Sequence, residues 1–337
     1  MVPDRLIHIQ KNGEKLEARL CGDLPSPVRY ATLSHRWGSN PRLRLLRSNA
    51  AQLFDEIPMP SLEPVFQEAI LVAWHLGLAH IWIDTLCIVQ DSPLDWEAQS
   101  RNMGAIYMNA VFNIAAAVPV SRGLFTQRPP FVHFSPHLHI GWDDISLPSS
   151  DKPASLRGFY TLRDSARWYA NVDSAHLNQR GWVSQERELS PCTLTFGPQQ
   201  VYWKCGEVLA CESFPNGVPG MEAYHALYTT RSFRDLVEDA ATAEEIVRFW
   251  YGFAHRYSET DLTQKRDRLP AAFGMAQQLL RLMPGNRFLA GIFESHIVEG
   301  LLWRFDDTRS RSKPAATTVL TDFQVPSWSW ASLDCPV

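Results

Sequence analysis

The sequence predicts an α/β protein: a parallel β-sheet flanked by helices, with β-hairpin insertions and a mainly helical C-terminal extension. Three observations carry this. Between residues 28 and 118, short runs rich in β-branched residues alternate with helical patterns, in the order strand, helix, strand, helix, strand. That alternation implies parallel strands joined by right-handed crossovers. From Thr242 onward helical periodicity dominates instead. The 337 residues are 45% hydrophobic and 20% charged, ordinary for a chain that folds around a buried core. At about 100–200 residues per domain, one large domain or two smaller ones fit.

The first strand is predicted over residues 28–34, where Val28, Tyr30, Thr32 and Ser34 alternate with Arg29, Ala31 and Leu33 between flanking Pro and Gly. A helix follows, with Ser61 as N-cap and Pro64 in its first turn. Its Phe66, Ile70, Ala73 and Gly77 share one face, which Val65, Val72 and Leu76 widen, so it is largely buried. Residues 80–88 read as a fully buried strand. Ser92, Pro93 and Asp95 open a second helix with a capping-box pattern. Trp96, Met103 and Ala110 repeat along it, with Ile106 between. Residues 111–118 form a third apolar strand. Residues 119–175 are rich in Pro, Ser and Asp, which predicts loops and an inserted hairpin. Residues 181–190 read as a helix, and residues 193–197 and 200–205 as a strand pair turning at Pro198. Thr242 with Glu245 is a second capping box, starting a helix with Ile246, Trp250, Phe253 and Tyr257 on one face. Residues 269–283 and 288–303 read as further helices, broken at Pro284 and Gly285.

Charge and composition exclude several classes. A net charge of −4 provides no global field for nucleic acid or acidic membranes, so neither is an expected partner. The longest uninterrupted apolar run, residues 69–74, falls far short of the roughly 18–20 residues that span a bilayer. The first fifteen residues lack the apolar stretch of a signal peptide. Cys21, Cys87, Cys192, Cys205, Cys211 and Cys335 are too few and too scattered for a disulfide framework. The expectation is a reduced, cytoplasmic protein. Cys205 and Cys211 lack paired metal-ligand spacing, and no GxGxxG, Walker or HExxH pattern occurs, so neither a metal nor a bound cofactor is expected. Twelve Trp point to wide aromatic packing or a stacking site.

Three blocks place polar groups beside predicted strand ends, where parallel sheets bind ligands. The first is Ser34, His35, Arg36, Trp37 and Gly38; the second Asp84, Cys87, Gln90 and Asp91; the third Arg180, Gly181, Trp182, Gln185, Glu186 and Arg187. Asp84 inside an apolar run needs a partner such as Arg36, Arg180 or a backbone amide, because a bare buried carboxylate is costly. A structural hydrogen-bonded carboxylate is its ordinary reading; contact with substrate is the sharper one. Cys87 with His35 and Asp84 could form a nucleophilic set. A Cys in a buried strand is more often an inert apolar residue, and strand alternation would put Asp84 and Cys87 on opposite faces. Glu186 follows Trp182 by four residues on one helix face. A carboxylate beside an aromatic wall is suited to stabilising a developing cation, as in breaking an N-glycosidic bond. Its ordinary alternative is a salt-bridged residue in a charge-rich helix. Arg42, Arg44 and Arg47 are either a phosphate-binding run or a solvated face.

These blocks closely resemble the fungal heterokaryon-incompatibility (HET) domain family. The resemblance lies in TyrAlaThrLeuSerHisArgTrpGly at 30–38, LeuGlyLeuAlaHisIleTrpIleAspThrLeuCysIleValGlnAsp at 76–91 and ArgGlyTrpValSerGlnGluArgGluLeuSer at 180–190. GlyLeuPheThrGlnArgPro at 123–129 belongs to the same series. AspArgLeuProAlaAlaPheGlyMetAla at 267–276 and ProSerTrpSerTrpAlaSer at 326–332 look like the usual extension of such proteins. His35 stands where the family often has Tyr, and Cys192 where a basic residue is common. The resulting division is an N-terminal segment 1–27, a HET domain 28–212, and a helical extension 213–337 ending in SerTrpSerTrp, beyond which relatives usually continue.

The family is associated with fungal non-self recognition and regulated cell death. Its fold is thought to be related to Toll/interleukin-receptor (TIR) domains, some of which hydrolyse NAD. The resemblance therefore implies a TIR-like or flavodoxin-like core, an unidentified recognition partner, and self-association. LeuSerHisArgTrpGly is similar to the end of the first TIR strand, and TrpValSerGlnGluArg to the TIR helix that carries the catalytic Glu. Carried over, Glu186 is the catalytic candidate and NAD the substrate rather than a cofactor. Ser34, His35, Arg36, Trp37, Asp84, Cys87, Gln90, Trp182 and Gln185 are the expected substrate-binding residues. A non-enzymatic signalling or oligomerisation module is the alternative, and a Cys-dependent hydrolase or transferase the third.

Overall fold

The computed structural model describes residues 3–24, 26–38, 41–119, 121–127, 137–140, 158–161, 164, 166–221, 232–304, 325–333 and 336–337. Its centre is an eight-stranded mixed sheet. The strands are β1 (Leu6–Asn12), β2 (Lys15–Cys21), β3 (Ala31–Ser34), β4 (His80–Trp82), β5 (Phe112–Ala116), β8 (Cys192–Phe196), β9 (Val201–Cys205) and β10 (Leu209–Cys211). Their spatial order is β10-β9-β8-β5-β3-β4-β1-β2. The four central strands β4, β3, β5 and β8 run parallel, with Ala31 opposite Ile81 and Phe112, and Asn113 opposite Thr193. Antiparallel hairpins extend both edges. The chain steps from β3 to β4 on one side and then crosses to β5 on the other. The carboxyl ends of β3 and β5 therefore flank a topological switch point, the usual ligand position in such sheets.

Helices flank this sheet: α1 (Ala50–Asp55), α2 (Pro64–His75), the single turn α3 (Asp84–Cys87), α4 (Pro93–Met108), the short α5 (Ala166–Trp168) and α6 (Gly181–Leu189). The predicted α2 face is buried through Val65, Phe66, Ile70, Val72 and Ala73, and packs into one core with Ile7, Leu33, Ile81, Trp82 and Ile114, but the helix ends at His75, leaving Leu76 exposed at its C-cap and Gly77 beyond it. The inserted hairpin also forms, as β6 (His137–Ile140) against β7 (Gly158–Thr161). Most of its surroundings lie outside the described residues, as does Cys335.

Several local expectations need correction. Residues 1–27, set apart only as an N-terminal segment with no element assigned, hold the β1–β2 hairpin; its turn is Gly13 and Glu14 after Asn12, with Gly13 in the left-handed region at φ 60°. The first parallel strand is four residues, shorter than predicted. The N-cap of α2 is Glu63, and Ser61 instead ends a 3₁₀ turn. The strand expected over 80–88 stops at Trp82, and Asp84–Cys87 coil into α3. At α4 only half the capping box exists: Ser92 accepts from the Asp95 amide at 3.4 Å. The Asp95 carboxylate turns instead to Arg5 and the Val89 amide.

The C-terminal part holds α7 (Phe233–Glu238), α8 (Ala243–Ser258), α9 (Arg268–Leu282) and α10 (Ile297–Leu301). Both halves of the Thr242–Glu245 box are present, and Ile246, Trp250, Phe253 and Tyr257 are all buried as predicted. Residues 288–293 are not helical: Phe288–Leu289 (β11) and Ile292–Phe293 (β12) pair around Ala290 and Gly291, both at positive φ. A side chain at Gly291 would strike the Trp330 indole at 2.6 Å, so glycine is required there. The Gly291 carbonyl accepts from both Trp250 and Trp330, which ties the SerTrpSerTrp segment into the second core. The two parts meet where α9 lies on α4 and α6. A Cβ on Gly104 would sit 3.0 Å from the Gly274 backbone, so the two glycines set how closely α4 and α9 approach.

Candidate functional site

The strand ends assemble a buried polar chain. Thr32 and Ser34 alternate onto one face of β3, and the β3–β5 register brings Asn113 beside them. Thr32 Oγ1 donates to Asn113 Oδ1 at 3.0 Å, and Asn113 Nδ2 donates to Ser34 Oγ at 2.9 Å. Ser34 Oγ in turn donates a short hydrogen bond to Glu186 Oε2. Glu186 reaches the strand end because α6 begins right after Arg180, whose guanidinium donates to the His35 carbonyl. Tyr107 enters from α4; its hydroxyl faces Glu186 and lies 3.3 Å from the Leu33 carbonyl.

Glu186 is 4% exposed and Ser34 1%. Burial pushes the Glu186 carboxyl up to about 7, against the Ser34 hydrogen bond and the Arg180 charge, which favour ionisation; Asp84 adds to the rise. Glu186 has hydroxyl partners and, among the described residues, no cation in ion-pair contact. Burial also drives the Tyr107 phenol well above its ordinary range. Of these two groups, the one that titrates near neutrality is thus Glu186.

Around this chain lies a more exposed rim. Trp37, 36% exposed, donates its indole N–H to Asp84 Oδ2 at 2.8 Å. Asp84 also accepts from the Thr85 amide at 2.6 Å, so the partners it needs are an indole and a backbone amide. Arg36 is half-buried and donates to the His176 carbonyl at 2.9 Å. His35 is buried edge-on against Phe66, with Nε2 3.2 Å from Thr85 Oγ1 and 3.7 Å from Asp84 Oδ1. Burial holds its pKa below the ordinary value despite Asp84, so the ring is neutral at physiological pH.

Ser34, His35, Arg36, Trp37, Asp84 and Glu186 are therefore brought to one strand-end region, and the other predicted residues are not. Gln90 braces its own loop by donating to the Asp84 and Ile88 carbonyls. Cys87 lies on the α3 turn, not on a strand, so the alternation argument for its facing does not apply. It is packed in the first core with its thiol pushed by burial up to about 12, and among the described residues no imidazole is hydrogen-bonded to it. The Cys-dependent reading ends there. Trp182 bonds Asp267 at 3.3 Å and meets Trp96 edge-on at 6.0 Å, between the two cores. Gln185 is fully buried against Gly274 of α9. Arg47 braces the α4 cap through Ser92 and Asp91.

Asn113, Thr32 and Tyr107 were not anticipated. Asn113 alone carried a signal: an amide inside the otherwise apolar run 111–118 needs a buried polar partner. A separate cleft of about 1530 Å³ opens beyond α6, lined by Val183, Ser184, Arg187 and Glu188 but by none of Ser34, Trp37, Asp84 or Glu186. Among the described residues, no three His, Cys, Asp or Glu side chains are grouped to hold a metal ion, and no helix is long and apolar enough to cross a membrane.

Comparison with curated proteins and with solved structures gives no match. A family model does match, described as Heterokaryon incompatibility protein (HET), over residues 30–186. Those limits run from the strand that carries Thr32 and Ser34 to Glu186 itself, and so enclose the whole polar chain. Residues 30–186 thus carry the match to a heterokaryon incompatibility (HET) domain.

Proposed function

We propose that this chain acts in fungal non-self recognition and regulated cell death, and that it does so by cleaving the N-glycosidic bond of NAD at the β3 strand end. One observation carries the catalytic part. A carboxyl group is buried at the switch point of the sheet, held by hydroxyls, without a paired cation among the described residues, and poised near neutral pH. Burying such a group costs stability, and buried groups kept at that cost concentrate at functional sites. In the reaction, water adds to the ribose carbon as nicotinamide leaves, giving ADP-ribose, nicotinamide and one proton. Ionised Glu186 stabilises the oxocarbenium-like charge at that carbon. Ser34, itself fixed by Asn113, orients the carboxylate. Trp37 offers a stacking face, and Arg36 a charge for the pyrophosphate. At 4% exposure, Glu186 meets substrate only when some of the side chains that cover it move.

That same closure favours the second reading, a non-enzymatic signalling or self-association module in which Ser34, His35 and Glu186 only pack one another. Nicotinamide release from NAD separates the two. The catalytic reading expects release by the full chain, free or after forced oligomerisation, and a loss of at least about 100-fold in Glu186→Gln. No release under either condition, or equal release from folded Glu186→Gln, leaves the signalling module.

A further inference from the structure

Strands β8 and β9 place two cysteines opposite each other. Cys192, the first residue of β8, is the register partner of Cys205, the last residue of β9. Rungs of an antiparallel ladder alternate between hydrogen-bonded and non-hydrogen-bonded pairs. The Cys205 N–H points away from β8 and donates to the Val208 carbonyl, on the β10 side, at 3.1 Å. The Cys192–Cys205 rung is therefore a non-hydrogen-bonded one. Cα atoms on such a rung lie about 4.5 Å apart, inside the window of roughly 4.4–6.8 Å that a disulfide spans. Partnered residues also send their side chains to the same face of the sheet. Burial raises the Cys192 pKa, and the charge of an ionised Cys205 raises it further, so the two sulfurs are electrostatic neighbours; Glu207 adds to the rise and Arg234 opposes it. Both cysteines are free and half-buried. The rung lies at the open end of the β8–β9 ladder, beside the turn into β10, so the small approach that a disulfide requires bends no strand interior. Cys21 faces Leu6 and Cys211 faces Tyr202 in their own ladders, and Cys87 lies on the α3 turn.

We propose that Cys192 and Cys205 are a redox modification site, forming a reversible cross-strand disulfide by exchange with a small-molecule disulfide such as oxidised glutathione. One protein thiolate attacks a sulfur of the oxidant and expels a glutathione thiolate, leaving a mixed disulfide. The other protein thiolate attacks the protein sulfur of that intermediate and expels the second glutathione. Two protein thiols are oxidised to one disulfide, one oxidised glutathione is reduced to two thiols, and the two protein protons pass to the departing thiolates. A disulfide at a half-buried ladder end belongs to the labile, reducible kind. It fixes β8 to β9 three residues after α6 ends at Leu189, and so anchors the strand that leaves the Glu186 helix. The site stands whether or not the protein cleaves NAD.

The test is peptide mass mapping of the full chain after incubation with oxidised glutathione in native buffer at about pH 8, where thiolates form, with remaining thiols blocked by N-ethylmaleimide. A peptide pair joined through Cys192 and Cys205 is expected, and dithiothreitol should remove it. Cys192→Ser, with an unchanged circular dichroism spectrum, lacks the resolving thiol and should retain at least about tenfold more glutathione on Cys205 than wild type does. Cys87→Ser should form the Cys192–Cys205 link as wild type does. The proposal is overturned if folded wild type keeps both thiols alkylatable, if it retains glutathione on Cys205 as fully as Cys192→Ser does, or if the link formed joins Cys21 to Cys87 or pairs either cysteine with a different partner.

Discussion

At the residue scale, the environment of Glu186 sets its chemistry. The ionised carboxylate is the form that stabilises a cation, and it is populated as pH rises through about 7. Nicotinamide release should therefore climb about tenfold per unit below that point and level off above it, in a kcat against pH profile. His35 adds no falling limb above that point, since burial holds its pKa below the ordinary value. Cys87 makes an independent check. With its thiol pushed up to about 12, native protein at pH 8 should leave Cys87 unmodified by a thiol reagent that labels it fully in urea. Ser34 was legible as the polar end of a strand pattern, Asp84 as a carboxylate inside an apolar run, and Glu186 by its spacing from Trp182 and the family resemblance. The geometry joining them was not legible. The Ser34–Asn113 contact depends on a parallel register between strands about eighty residues apart, which no local pattern specifies.

At the element scale, hydrophobic periodicity located α2, α6, α8 and α9 and the parallel strands, because each must bury one continuous face. It failed where a turn decides the outcome. The β1–β2 hairpin turns on Gly13–Glu14, with Gly13 at the first turn position, a signal that the charged β2 residues obscured. Residues 288–293 have an apolar pattern that also suits a helix, and Gly291 against Trp330 resolves it as a hairpin. Strand β4 ends early because the Asp84 carboxylate turns back onto the Thr85 amide and starts the α3 turn. The α4–α9 contact gives a prediction at this scale. Gly104→Ala forces the two helix backbones apart and should cost about 1–3 kcal/mol in urea unfolding. Gly285→Ala, at an open positive-φ turn, should cost less than that.

At the scale of the whole molecule, the HET domain and the C-terminal helices share a seam. Trp182 packs against both cores, and α9 lies on α4 and α6. The two parts should unfold in one cooperative transition, seen as coincident fluorescence and circular dichroism midpoints. Trp250→Ala, deep in the second core, should lower that shared stability by about 3–5 kcal/mol and so move both signals together. This seam was hidden from the sequence, because small residues such as Gly104 and Gly274 look like helix weaknesses until the opposing backbone is known.

The central claim is that Glu186 is buried for function at the expense of stability. Its carboxyl, at about 7 in the fold against about 4.5 unfolded, binds more protons in the native state between those values. Its contribution to stability is therefore full below about pH 4.5 and falls as pH rises to 7, by about 3 kcal/mol at 1.4 kcal/mol per unit. The direct measurement is the unfolding free energy of wild type and Glu186→Gln from pH 5 to pH 8.5. The account predicts that Glu186→Gln gains on wild type as pH rises and is the more stable protein at pH 8. A Glu186→Gln variant less stable than wild type at pH 8, with a pH-independent difference, would make Glu186 a structural residue and contradict the account.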